Sequence, residues 1–199
     1  MERTAYQVME HFGTLQGEGY YTGRAAYFIR LSGCDVGCVW CDVKESWDVD
    51  AGKSYSLEEI KGLSEGFDFI VLTGGEPAMH DLRALTDMLH KENKFISLET
   101  SGCYELNGAV DWYTFSPKKF KKPHPEAYEK ADELKVVIYH PSDLAWAEEH
   151  AKQVNDQCLL YIQPEWSKKN QLQELIIDFI TRNPRWRLSL QTHKYINIP

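Results

Sequence analysis

Residues 34–42 read CDVGCVWCD, with cysteines at positions 34, 38 and 41. The only other cysteines are Cys103 and Cys158, both far along the chain. Thiolates are soft ligands that suit zinc and iron–sulfur clusters. Three readings of the triplet follow. Buried structural thiols belong in apolar runs, whereas this loop also carries Gly33, Gly37 and Asp42. A structural zinc ion takes four ligands, often as two close pairs, and Cys103, Cys158 or His80 would have to complete it. A 4Fe-4S cluster normally takes four cysteines. Three would leave one iron with an open position, the feature that separates a reactive metal site from a closed one.

The elements that must position this loop are short apolar runs alternating with amphipathic stretches. The runs 25–31, 67–73, 95–100, 112–116, 133–139, 158–163 and 187–191 read as strands. The stretches 56–64, 81–93, 142–153 and 170–183 read as helices, with Ser56 and Ser142 as N-caps. Leu82, Leu85 and Leu89 share one helical face. The alternation predicts an α/β fold with a mostly parallel sheet and crossover helices. Both an open doubly wound sheet and an open, partial βα barrel of about six βα units fit it. A full eightfold barrel typically needs about 250 residues, more than the 199 present.

Either architecture gathers ligands at the carboxyl ends of the strands. The stretches that follow the strands are SGCDVGCVWC, GGEP (74–77), SGC, PKK, PEW and QTHK. Gly, Ser, Cys, Lys and His thus collect on one rim.

Composition limits the partners. The formal net charge of −8 argues against nucleic acid, which needs clustered cations. The basic run KKFKK (118–122) reads as a solvated loop, Lys118 aside. No apolar run approaches the ~18 residues of a membrane span, and no signal-peptide pattern is present. The chain reads as a single soluble domain, 1–199, in the cytoplasm, with no membrane partner. A chain of this size buries roughly 70% of its unfolded surface, so five cysteines are not needed as staples.

Strand, C-x3-C-x2-C with Trp40 before the last cysteine, a second strand and GGEP, in that order, resemble the radical S-adenosylmethionine superfamily. The stretches FGTLQGEGYYTGRAAYFIRLSGC, ETSG, SPK and QTHKYINIP further resemble the 7-carboxy-7-deazaguanine synthases over nearly the whole chain. The resemblance implies a trimmed partial barrel and a 4Fe-4S cluster on Cys34, Cys38 and Cys41. It also implies bound S-adenosyl-L-methionine and conversion of 6-carboxy-5,6,7,8-tetrahydropterin to 7-carboxy-7-deazaguanine with loss of ammonia, on the way to queuosine and other 7-deazapurines.

By the same resemblance Leu15, Gln16, Gly17, Glu18, Arg30, Thr73, His193 and the terminal Pro199 contact the substrate. A forked guanidinium at Arg30 suits a carboxylate, and Gln16 and Glu18 suit a flat donor–acceptor edge. Trp40, Cys41, Asp42, Gly75, Glu76, Ser101, Ser116, Pro117, Lys118 and Gln163 map to the cofactor side. The glycines of GGEP would let backbone approach the cofactor, and Glu76 would accept from its ammonium. The implied partners are a flavodoxin-like reductant and a second copy in a homodimer. One departure stands out. Many family members place a threonine after Cys-Asp to help hold Mg2+, whereas this chain has Val43, which offers no oxygen to a hard cation. Two alternatives share part of the pattern: another radical enzyme, such as a glycyl-radical activase, and a non-catalytic iron–sulfur electron carrier.

Overall fold

The computed structural model describes residues 4–199; the first three residues of the expected domain lie outside the described residues. The strands are β1 (Ala5–Leu15), β2 (Ala25–Leu31), β3 (Lys53–Ser56), β4 (Phe69–Gly74), β5 (Phe95–Thr100), β6 (Trp112–Phe115), β7 (Glu133–Ile138), β8 (Leu159–Pro164) and β9 (Trp186–Leu188). They form one sheet in the order β3-β1-β2-β4-β5-β6-β7-β8-β9. From β2 to β9 every neighbouring pair is parallel; β1 runs antiparallel to both β2 and β3. The sheet is open, since β3 and β9 end it without pairing to each other.

The helices are α1 (Leu57–Leu63), α2 (Arg83–Lys91), α3 (Pro125–Lys130), α4 (Asp143–Ala151), α5 (Lys169–Arg182) and α6 (Thr192–Ile196). The crossover from β5 to β6 carries no helix; the other parallel crossovers each carry one, α1 to α5. The six crossovers match the sequence expectation of about six βα units. Strands such as β4 are apolar along their length because a parallel sheet is covered on both faces; Ile70, Val71 and Leu72 are fully buried. Leu82, Leu85 and Leu89 are fully buried too, as their spacing on α2 predicts. Ser56 caps α1 in a capping box with Glu59. Ser142 makes no cap bond to α4. Asp143, the first residue of α4, instead holds the turn before the helix: its carboxylate accepts from the backbone amides of Tyr139 and His140.

The strands β1 and β3 and the helices α3 and α6 are absent from the sequence reading. Only Tyr6 and Val8 of β1 are fully buried, and the register slips between Val8 and Glu10. The apolar alternation is therefore broken by the bulge and by half-exposed polar residues.

The segment between β1 and β2 does more than turn the chain. Tyr21 packs on Phe69, Phe95 and Trp112, the first residues of β4, β5 and β6. Tyr20 stacks on Trp112 at 5.0 Å, and the Arg24 guanidinium lies 4.2 Å over Phe69. This plug closes the amino end of the sheet and leads Gln16 and Glu18 toward the opposite rim.

Candidate active site

The stretch after β2 is held by backbone. Gly33 and Gly37 take left-handed φ values of 98° and 74°, open to glycine without strain. The amides of Gly33 and Cys34 donate to Ser46 and Trp47 carbonyls at 2.7 and 3.1 Å. Asp35 is pinned from outside by the Tyr104 hydroxyl and the Lys121 ammonium, at 2.5 and 2.6 Å. All three cysteines are unbridged and line one cavity of about 370 Å³ at the carboxyl ends of the strands.

The donor set fits a cluster better than a zinc ion. Among the described residues no group of three His, Cys, Asp or Glu side chains closes on a point that would hold a single metal ion. The candidates for completing a zinc site are engaged elsewhere. The His80 ring lies 2.8 Å from the Ser32 carbonyl, Cys103 donates to the Lys121 carbonyl, and Cys158 is packed in the core. Burial pushes the Cys34 thiol up and the Cys38 thiol up to about 11, so ligation must displace their protons.

The GGEP turn closes β4 against this loop. A Cβ on Gly74 would sit 2.3 Å from the Leu31 carbonyl oxygen, and one on Gly75 2.4 Å from that of Gly33. The glycines are required by chain packing, a second demand beside the cofactor approach that the sequence reading gave them. Glu76 is likewise committed within the protein. It is 1% exposed and accepts from the amides of Ala78 and Ser101 and the hydroxyls of Thr100 and Ser101. Four donors meet its two carboxylate oxygens, so Glu76 braces the rim.

On the other wall, Arg30 and Thr73 are cross-strand neighbours on β2 and β4. The Arg30 Nε donates to Glu10 at 2.6 Å, which leaves its terminal nitrogens to address a carboxylate. Gln16 is spanned within the protein: its amide nitrogen donates to Glu99 and its amide oxygen accepts from the Glu18 backbone. Lys135 donates to Glu18 and Glu99 at 2.7 Å each, and Gln191 donates to the other Glu18 oxygen. Burial alone would raise Glu18, but the Lys135 ammonium overrides it and holds the carboxyl well below the usual range.

The C-terminal segment is clipped over this wall. The Thr192 amide and hydroxyl both donate to the Gly17 carbonyl at 2.9 Å. His193 packs so closely that a Cβ on Gly17 would meet its ring at 2.2 Å. Burial lowers the His193 imidazole, favouring its neutral form. The Pro199 carbonyl accepts from Thr14, and the Lys118 ammonium donates to Ser116 and lies 5.6 Å from the Trp40 ring.

Leu15 to Glu18, Arg30, Thr73, His193 and Pro199 all line the cavity, with Trp40, Asp42, Gly75, Glu76, Ser101, Ser116, Lys118 and Gln163. Pro117 does not; it is buried between two lining residues, as alternation along an extended segment requires. The sequence reading missed Glu99, Lys135, Gln191 and Lys194, which also line it. Glu99 and Lys135 carry a legible signal: charges inside otherwise apolar strands.

A profile of the radical SAM superfamily matches residues 28–152. A 7-carboxy-7-deazaguanine synthase of Flavobacterium psychrophilum is 52% identical over 96% of this chain and 92% of that protein. One from Synechocystis is 43% identical over 98% and 94%. The chain belongs to the 7-carboxy-7-deazaguanine synthases of the radical SAM superfamily. The crystal structure of QueE from Escherichia coli superposes with a TM-score of 0.85 at 36% identity, covering 95% of each chain. The sheet described above is therefore the open partial barrel of this family, with its cysteine loop at the end of β2. No helix among the described residues is long and apolar enough to cross a membrane.

Proposed function

We propose that the chain converts 6-carboxy-5,6,7,8-tetrahydropterin to 7-carboxy-7-deazaguanine with loss of ammonia. The observation that carries this is one cavity lined by three cysteines, by Arg30 and by a buried Glu18–Lys135–Glu99 network. A cofactor cavity open at one iron and a polar pocket for a flat heterocycle are what the reaction needs.

Cys34, Cys38 and Cys41 would hold a 4Fe-4S cluster, with S-adenosylmethionine beside it along Ser101, Ser116, Lys118 and Gln163. When bound, these groups supply one-electron chemistry that starts a radical reaction. The chain's own residues bind and orient the pterin. Arg30 and His193 address its carboxylate end. Glu18, ionised because Lys135 neutralises its surroundings, accepts from the pterin amino edge. The C-terminal segment over Gly17 keeps water from the cavity. A flavodoxin-like protein fits as the electron donor, and a second copy fits the open sheet edges, which proteins usually cover.

Mg2+ does not fit the residues present. Val43 has no oxygen, and the neighbouring Asp42 carboxylate is engaged by the Lys194 ammonium at 2.8 Å. No step is assigned to the ion. Turnover is expected to be nearly independent of added Mg2+, with Val43→Thr introducing a dependence; a wild type that stops when Mg2+ is chelated contradicts this.

The function is tested by anaerobic reconstitution with iron and sulfide, reduction, and incubation with S-adenosylmethionine and the carboxypterin. Formation of 7-carboxy-7-deazaguanine is expected. An electron carrier would show a reduced-cluster EPR signal that ignores S-adenosylmethionine, and an activase would leave the pterin unchanged.

A further inference from the structure

Glu133 is a buried carboxyl for which neither the cavity lining nor the proposed chemistry has a use. It opens β7, two residues before Lys135 on the same face, and is 2% exposed. Its Oε2 accepts from the Tyr20 amide at 2.9 Å. Its other oxygen lies where a Cβ on Gly19 would come within 2.1 Å. Gly19 also takes a φ of 64°. The turn carrying Glu18 is thus folded directly onto this carboxyl, with Ser189 accepting from the Gly19 amide on the other side.

The groups facing Glu133 are Lys135 on its own strand, Glu99 on β5, Cys158 at the start of β8, the Trp112 indole on β6 and, through Lys135, Glu18. Three carboxyls therefore surround one ammonium. Glu18 and Glu99 bond directly to Lys135, whereas Glu133 makes no ion pair with it among the described residues. A buried carboxyl without a cation of its own keeps its proton. As a neutral acid, it still accepts the Tyr20 N–H through its carbonyl oxygen.

We propose that Glu133 is a positioning residue for substrate: as the neutral acid it clamps the Gly19–Tyr20 turn and leaves Lys135 to hold Glu18 against the pterin, and its ionisation pulls Lys135 away from Glu18. This rests on the reaction proposed above. Ionisation would place a second uncompensated anion beside Lys135 and draw the ammonium away from Glu18. Burial raises the Glu133 carboxyl to about 7, with the Lys135 ammonium opposing and Glu99 reinforcing the shift.

The test measures carboxypterin affinity by anaerobic calorimetry on reconstituted protein, with KM and kcat alongside, from about pH 6 to 8, one unit either side of about 7. Wild-type affinity is expected to weaken as pH rises through this window. Glu133→Gln keeps the acceptor and cannot ionise, so its affinity stays at the low-pH value throughout. Glu133→Ala loses the clamp and binds roughly tenfold more weakly, the worth of about one buried hydrogen bond, with KM affected more than kcat. A wild-type pH dependence that persists in Glu133→Gln, or unchanged affinity in Glu133→Ala, overturns the proposal.

Thermal melts give a second arm that needs no substrate. The folded carboxyl binds its proton more tightly than the unfolded one, at 4.5. Its contribution to stability is present below about 4.5 and lost as pH rises through about 7. Glu133→Gln should therefore gain stability over wild type across that rise, and no gain also overturns the proposal. If wild type makes no product from the carboxypterin at any pH, it is the assigned reaction that fails, while the melts still report on Glu133.

Discussion

Lys135 decides the electrostatics of the cavity. It is 3% exposed and donates to two carboxylates at 2.7 Å, both on the wall that would meet the substrate. Removing one member of a buried ion network strands the others, typically at a cost of 3–5 kcal/mol. Lys135→Met is expected to destabilise the fold by about 3 kcal/mol in urea melts, since Glu18 and Glu99 would be left as neighbouring anions. Adding Glu18→Gln to that variant should restore part of the loss, because one stranded charge disappears. Additive effects of the two changes would show that the pair is not coupled. Lys135 belongs to no rim motif, and Glu99 only opens the ETSG stretch. Each was visible only as a charge inside an apolar strand, a pattern that sequence reading treats as an exception to packing and that three-dimensional proximity turns into a network.

At the scale of elements, the joint between β4 and the cysteine loop is the tightest part of the site. A Cβ at Gly75 would also come within 2.6 Å of the Cys34 Cβ, so Gly75→Ala must move either the GGEP turn or the loop. The variant is expected to keep its far-UV circular dichroism and to bind markedly less iron on anaerobic reconstitution. Full iron loading would show that the loop has room to give. The buried parallel strands and the rim stretches were legible because their composition is continuous: apolar runs, then Gly, Ser, Cys or Lys. The first strand was not, since it borders the open edge and alternates polar with half-buried residues around a bulge. The plug was not legible either. LQGEGYYTGR reads locally as a glycine turn, and only the distant partners Phe69, Phe95 and Trp112 reveal that Tyr21 packs on the core while the half-exposed Tyr20 stacks on Trp112. The sequence motif located the residues that line the cavity but not the packing role of GGEP, because it could not show that Leu31, Gly33 and Cys34 lie against the glycines.

For the whole molecule, two buried groups set opposite slopes in the pH dependence of stability. His150 on α4 stacks on Tyr128 of α3, meets Trp146 edge-on, and has the Tyr128 hydroxyl 2.9 Å from Nδ1. Burial lowers its imidazole from 6.5 to about 4, so the fold favours the neutral ring. That contribution is present above about 6.5 and is lost as pH falls through about 4. Glu133 works the other way, losing its contribution as pH rises from 4.5 through about 7. The two shifts are of similar size, so these two slopes nearly cancel between about pH 4.5 and 6.5. His150→Phe keeps the ring stack and removes the titration, which leaves Glu133 opposed by His193 alone; its melting temperature is expected to fall as pH rises across that interval. Glu133→Gln should tilt the other way. The interval lies above the unfolded-state titration of the carboxylates held low by cations, such as Glu18, Asp143 and Glu126. Those groups withdraw their stabilisation only at more acid pH, so they do not produce either tilt. His193, also lowered by burial, adds to the slope of His150, so the tilt in Glu133→Gln should be the steeper of the two. A His150→Phe profile that rises with pH in this range would mean that another buried base, not His150, opposes Glu133.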